Sequence, residues 1–313
     1  MQKRQAIYDL YWQTSAERQR IFFNKLRGDN PLTADPIFKQ YKFCNVYRAC
    51  DRVSQYLIKH VIYGSRLEGE ELLFNIFLFR LLNKNETWEI LEQELGINLL
   101  KNFDFEHYSH VLENIHTQQP IYGNAFILCA NKSFGFDKKH QNHLALLKNV
   151  SFDTKISQEL LASKSLKQLF ERLRQLPLIG DFMAYQLAID LNYSPLFNFD
   201  ENDFTIAGPG ARRGIEKCFW DSDGKSSEYI IKYMVENQDR EFQRLGLNFQ
   251  NLFGRPMKAI DCQGWFCETD KYTRVSNPDL KSNRVRIKTT YKPGSPPIDY
   301  FFPPKWRLKH TLI

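Results

Sequence analysis

Two short stretches of the 313-residue chain hold residues able to do chemistry. The first is "LPLIGDFMA", Leu176 to Ala184, a Pro-Gly turn set directly before a helix. Pro177 stops the incoming helix, and Gly180 lets the backbone come close to a ligand. The helix that starts there turns unpaired N–H groups and its positive dipole end outward, which is a natural seat for a phosphate. Phe182, Met183, Leu187 and Leu191 bury that helix from behind. Pro177, Ile179 and Gly180 are therefore the expected backbone contacts, with an ordinary interhelical turn as the alternative. The second stretch is "DENDF", where Asp200 follows the helix by nine residues and Asp203 by three more. A carboxylate in a cleft can stabilise positive charge developing on a sugar, or act as a base toward a nucleophile. Either aspartate could instead cap a helix.

Further cations occur at informative spacings. In "GPGARRG", Gly208, Pro209 and Gly210 give a rigid turn, with Arg212 and Arg213 in the first turn of the following helix. Positive side chains there oppose the helix dipole and cost stability unless an anion is near. In "CETDKYTR", Cys267, Lys271 and Arg274 share one helical face. Glu268–Lys271 and Asp270–Arg274 could equally be surface ion pairs of little value. In "NVYRACDRVSQYLIKHV", helical spacing puts Val46, Ala49, Cys50, Val53 and Leu57 on an apolar face, and Asn45, Arg48, Arg52, Gln55 and Lys59 on a polar stripe. That stripe is either solvated or the lining of an anionic groove. In "FFPPKW", Lys305 and Trp306 could meet phosphate and base, or Trp306 could cover the core.

The net charge of +7 is localised. From Lys281 onward eight basic residues, among them Arg284 and Arg286, stand against Asp299 alone, so this segment carries the whole excess. Such a segment suits a phosphate backbone, and an acidic protein partner would suit it as well. Hydrophobic residues at 42% and charged residues at 25% are ordinary for a globular protein. The apolar run "LLFNIFLFRLL" is too short to cross a bilayer, and the charged N-terminus has no signal-peptide pattern, so a cytoplasmic protein with no membrane partner is expected. The six cysteines form no C-x-x-C pair, and His107/His110 and His140/His143 lack a metal-ligand pattern, so no metal or cofactor is implied and surface histidines are the default. A P-loop motif is absent, which argues against a self-contained nucleotide kinase of the common type.

The elements that must position these residues are mainly α. "EGEELLFNIFLFRLLN" is apolar nearly all round and predicts a buried helix, "NETWEILEQEL" predicts an amphipathic helix capped by Asn85, and two helices flank the Pro-Gly hairpin. "AFILCAN" is the best strand candidate in the first half, and "RVRIKTTY" predicts a strand or extended arm. The expected organisation is a helical domain over 1–280 and a basic, Pro-rich arm over 281–313 packed on it.

"LPLIGDFMA", with Asp200 downstream, resembles the hairpin of the helix-hairpin-helix DNA glycosylase superfamily. Leu178 replaces the first hairpin glycine of that family, and Phe182 stands where some members carry a Schiff-base lysine, so a lyase mechanism is not implied. More narrowly, "YKFCNVYRACDRVSQYL", "FRLLNKNETWE", "FMAYQLAIDLNYS", "ENDFTIAGPGARRGI", "CETDKYTR" and "PPKW" resemble the α-glutamyl/putrescinyl-thymine pyrophosphorylase group, which includes the helical domain of 5-hydroxymethyluracil DNA kinases. The resemblance implies a glycosylase-like helical fold acting on a modified thymine flipped out of double-stranded DNA, with group transfer displacing phosphate or pyrophosphate at the 5-methylene. Base excision by a monofunctional glycosylase, and a modified-DNA-binding module serving a separate kinase or hydroxymethylase, are the alternatives. In this reading Asp200 and Asp203 are catalytic. Pro177, Ile179, Gly180, Gly208, Gly210, Arg212, Arg213, Arg284, Arg286 and Lys305 hold DNA. Asn45, Arg48, Arg52, Lys271, Arg274 and Trp306 are candidates for the substrate pocket.

Overall fold

The computed structural model describes residues 1–123, 132–280, 282–294 and 296–309. The protein is mainly helical, as expected, and its described residues fall into two compact units. The first is built from Met1–Asp51, Phe204–Asp299 and the residues after Lys305; the second from Arg52–Asp203 and Tyr300–Lys305. The basic arm thus contributes to both.

The first unit opens with β1 (Gln2–Lys3), α1 (Gln5–Arg27) and α2 (Pro36–Gln40). α1 buries Tyr8, Tyr11, Trp12, Phe22 and Phe23 and ends on Gly28 in the left-handed conformation. Asp35 caps α2 through the backbone N–H groups of Ile37 and Phe38. The continuous helix expected from Asn45 does not form. A 3₁₀ turn covers Arg48–Cys50, and Asp51 is extended. Its carboxylate accepts the backbone N–H of Asn45 at 2.8 Å and the Asn45 Nδ2 at 3.1 Å, a local alternative to helical bonding. The polar stripe is therefore divided, with Arg48 before the break and Arg52 after it.

The second unit runs through α3 (Arg52–Tyr56), a π-helical turn (Leu57–Tyr63), α4 (Gly69–Leu82), α5 (Asn85–Leu95), α6 (Phe105–Gln118), α7 (Lys139–Phe152), α8 (Thr154–Leu161), α9 (Leu166–Arg174) and α10 (Asp181–Tyr193). α4 is buried on all sides, as its composition predicts, and its Arg80 pairs with Asp190 of α10 where neither meets solvent. Asn85 is the first helical residue of α5 rather than its cap: Lys84 is extended and its carbonyl accepts the Trp88 N–H. His140 and His143 are buried on α7, not at the surface. His140 Nε2 lies 3.3 Å from Ser109 Oγ, and His143 Nδ1 lies 3.0 Å from the Tyr122 hydroxyl. Burial lowers the pKa of His143 to about 3. The strand expected at "AFILCAN" and Cys129 lie outside the described residues.

The chain then completes the first unit with α11 (Pro209–Cys218), β2 (Phe219–Asp221), α12 (Ser227–Arg244) and α13 (Ala259–Ser276). β2 pairs antiparallel with β1, a contact the sequence pattern does not announce. "RVRIKTTY" forms no regular strand; an isolated antiparallel bridge ties Thr290 to Tyr41. No helix among the described residues is long and apolar enough to cross a membrane.

Candidate anion-binding site

The site follows from how closely α11 lies on α13. A side chain at Gly214 would place its Cβ 2.1 Å from the carbonyl oxygen of Phe266, and one at Gly210 would lie 2.9 Å from Cys267 Sγ. The glycines of "GPGARRG" are thus contact positions between two helices. Gly208 is the buried, extended residue from which α11 starts. This approach carries Arg213 and Lys217, one helical turn apart on α11, onto Asp270 and Arg274, one turn apart on α13.

Three cations meet one carboxylate there. Arg213 Nε donates to Asp270 Oδ2 at 3.0 Å and Arg274 Nη2 to the same oxygen at 2.6 Å. Lys217 Nζ lies 3.0 Å from Asp270 Oδ1 and donates to Thr273 Oγ1 at 3.1 Å. Asp270 is wholly buried and Lys217 nearly so. Burial alone would raise the Asp270 pKa, but hydrogen bonds from Arg274 and Lys217 outweigh it and hold the carboxyl below its ordinary value. One negative charge cannot neutralise three positive ones, so the cluster keeps an excess of positive charge in a poorly solvated place.

That excess faces a cleft of about 540 Å³. Arg4, Arg212, Arg213 and Lys217 line it, against the carboxylates of Glu216 and Asp279. Arg212 is exposed, with its Nε on the Ala207 carbonyl at 3.1 Å. Ser282 and Asn283, at the start of the basic arm, close another side. Arg274 Nη1 donates to the Arg286 carbonyl at 3.2 Å, which holds the arm beside the cluster with Arg284 and Arg286 exposed.

A second set of polar contacts runs along α13. Asp261 accepts the Arg48 N–H at 2.9 Å, and Glu268 accepts the Cys44 N–H at 3.0 Å and the Lys271 ammonium at 2.9 Å. Asn45, bonded to Asp51, adjoins Cys44. Burial raises the Asp51 pKa to about 6, although the Asn45 N–H and Arg18 act against the rise. Asn45, Arg48 and Lys271 are therefore gathered on this face of the first unit, while Arg274 belongs to the Asp270 cluster.

The remaining candidates lie elsewhere. The Leu176–Gly180 turn joins α9 to α10 in the second unit, with Pro177 and Gly180 exposed and Ile179 buried. Leu178 has φ 69°, the conformation a glycine would supply, and Asp181 in the first turn of α10 pairs with Arg174. Asp200 and Asp203 are exposed at the end of the same unit, and Asp200 Oδ1 accepts the Asn202 N–H at 3.0 Å in a tight turn. Arg52 is exposed at the start of α3. Lys305 directs its ammonium to the carbonyls of Asn192 and Ser194 at the C-terminal end of α10, the Ser194 bond being 2.8 Å, and to that of Phe197 in the loop beyond. Trp306 is half-buried, with the Arg255 guanidinium 3.8 Å from its ring centre. Among the described residues no group of three or more His, Cys, Asp or Glu side chains is arranged to hold a metal ion.

Sequence reasoning found Arg212, Arg213 and Arg274 but missed Arg4, Lys217, Asp51 and the burial of Asp270. Two signals were present, the i,i+4 pairs Arg213/Lys217 and Asp270/Arg274. A family model described as "5-hmdU DNA kinase, helical domain" matches residues 5–282. The chain is also 28% identical, over 292 residues, to the 5-hmdU DNA kinase of Bacillus phage SP10; the alignment covers 86% of this chain and 45% of that one. The chain thus spans about half the length of that relative. No solved structure matches.

Proposed function

This chain belongs to the 5-hmdU DNA kinase helical-domain family, and from that premise we propose that it processes a modified thymine in phage-type DNA, seating a phosphate or pyrophosphate in the Arg212/Arg213/Lys217 cleft. The observation that carries the reading is the convergence of three cations on the single buried carboxylate of Asp270, which leaves positive charge facing an open cleft. An anion with two or more oxygens satisfies such a cluster better than water does.

The chemistry we assign is group transfer at the 5-methylene of a phosphorylated or pyrophosphorylated 5-hydroxymethyluracil. An amine nitrogen attacks the methylene carbon, the C–N bond forms, the C–O bond breaks, and phosphate or pyrophosphate leaves with the electron pair. The nitrogen then gives its extra proton to a carboxylate. Arg212, Arg213 and Lys217 stabilise the charge that builds on the leaving oxygens. The proton acceptors proposed are Asp200 and Asp203, read from the sequence, and Asp51, whose pKa burial raises to about 6. Because a duplex buries the base, the nucleotide must be extruded to react. The hairpin at Pro177, Ile179 and Gly180 is proposed to hold DNA phosphate, and so, separately, are Arg284 and Arg286.

DNA carrying 5-hydroxymethyluracil, or its pyrophosphorylated form, is incubated with the protein and an amine such as putrescine, then digested for nucleoside mass spectrometry. An aminated nucleoside supports transfer. Abasic sites would indicate base excision instead, and unaltered DNA that binds tightly would indicate a reader. Arg212→Ala is expected to weaken binding of the pyrophosphorylated DNA by roughly tenfold, the value of one charge-assisted hydrogen bond.

A further inference from the structure

The cleft has an aromatic neighbour. Trp12, Trp88 and Trp265 are sealed in the interior, whereas Trp220 on β2 is 66% exposed. Single exposed rings are common on protein surfaces, so exposure alone says little. What distinguishes Trp220 is the residue laid across it. The Arg4 guanidinium carbon lies 3.3 Å from the centre of the indole ring. Arg4 is fixed by two backbone bonds, its N–H to the Cys218 carbonyl at 2.8 Å and its Nε to the Lys217 carbonyl at 3.0 Å. The same Arg4 lines the cationic cleft. One side chain therefore belongs both to the phosphate seat and to the aromatic surface beside it, and the β1–β2 pairing sets the two together.

We infer that Trp220 is a stacking platform for the base of a nucleotide whose phosphate occupies the Arg4/Arg212/Arg213/Lys217 cleft; this rests on the phosphate reading of that cleft. A planar ring beside a cluster of guanidinium groups matches the two parts of a nucleotide, a π-face and an anion. The cleft volume of about 540 Å³ falls within the range of small-molecule sites. Stacking is indifferent to base identity, so the platform would take the base of a DNA strand or of a free nucleotide.

The test uses the full chain with three probes: a fluorescein-labelled oligo(dT), dTMP and inorganic pyrophosphate. Trp220→Ala is expected to weaken oligo(dT) binding on the order of tenfold while leaving pyrophosphate affinity unchanged. Quenching of tryptophan fluorescence by unlabelled oligo(dT), read in a Trp306→Phe background because Trp306 is also partly exposed, is expected and is abolished by adding Trp220→Phe, which also covers the case in which the alanine variant misfolds. An equal weakening with dTMP assigns the platform to a single nucleotide; a weakening confined to oligo(dT) assigns it to a strand. Oligo(dT) affinity within twofold of the parent in Trp220→Ala, or quenching that persists once Trp220→Phe is added, overturns the platform. If pyrophosphate does not bind, or Arg212→Ala leaves its binding intact, the cleft reading falls and the platform with it.

Discussion

At the scale of single residues, Asp270 and Asp51 depart from ordinary aspartates in opposite directions, and each has a consequence for stability. Asp270 is held below its usual pKa by Arg274 and Lys217. Its contribution is present at neutral pH and is lost as pH falls through the lowered folded value. Replacing it removes the carboxylate shared by Arg213, Lys217 and Arg274, so Asp270→Asn should cost about 3–5 kcal/mol in urea unfolding at pH 7. For Asp51 the sign is reversed. Its pKa rises from 3.8 to about 6 in the folded chain, so the native state holds the proton more tightly than the unfolded one. The stabilisation is full below pH 3.8 and declines as pH climbs to about 6. Asp51→Asn still accepts the Asn45 N–H, and its stability curve should lack that decline when melts are compared from pH 4 to 7. The cations of the cleft were legible in the sequence because arginines in the first turn of a helix are anomalous. Their shared partner was not, since pairing across helices depends on an approach that only packing decides.

Two elements show how backbone geometry serves the site. The contact of α11 with α13 has no room at Gly214, where the nearest obstacle is the Phe266 carbonyl and not a flexible side chain. Gly214→Ala should therefore cost about 3 kcal/mol in thermal or urea melts and weaken phosphate binding, because Arg213 and Lys217 would shift with the helix. The turn before α10 was placed correctly from Pro177 and Gly180. Its unusual member is Leu178, which holds a left-handed conformation at φ 69°. Leu178→Gly is expected to change stability by less than about 1 kcal/mol, since relieved strain offsets the missing side chain; Leu178→Val, branched at Cβ, should cost about 2 kcal/mol. Urea midpoints for the pair test this directly. Helical spacing misled over residues 45–61 because apolar periodicity says nothing of a side chain that competes for backbone donors, as Asp51 does with Asn45.

For the whole molecule, the uneven distribution of charge was the feature most easily read in advance. Arg284 and Arg286 extend the positive surface of the cleft along the arm that begins at Ser282 and Asn283. If both neutralise DNA phosphates, the double variant Arg284→Ala/Arg286→Ala should lower the slope of log affinity against log salt by about 0.9 for each phosphate left without its arginine, as measured by fluorescence anisotropy from 50 to 200 mM salt. Composition and periodicity do not disclose that residues 52–203 form a compact unit while the residues on either side of them build another. Pattern reading works along the chain, and this division is a matter of which distant segments share a core. α1 buries its aromatic face within a unit whose other long helices, α11, α12 and α13, come after Phe204. On the ribosome, even the last of those rings, Phe23, emerges 186 residues before α11 begins at Pro209. The nascent helix must wait, greasy face uncovered, until α11 and α13 are translated, and the phosphate seat therefore comes into being only after residues 52–203 have been made.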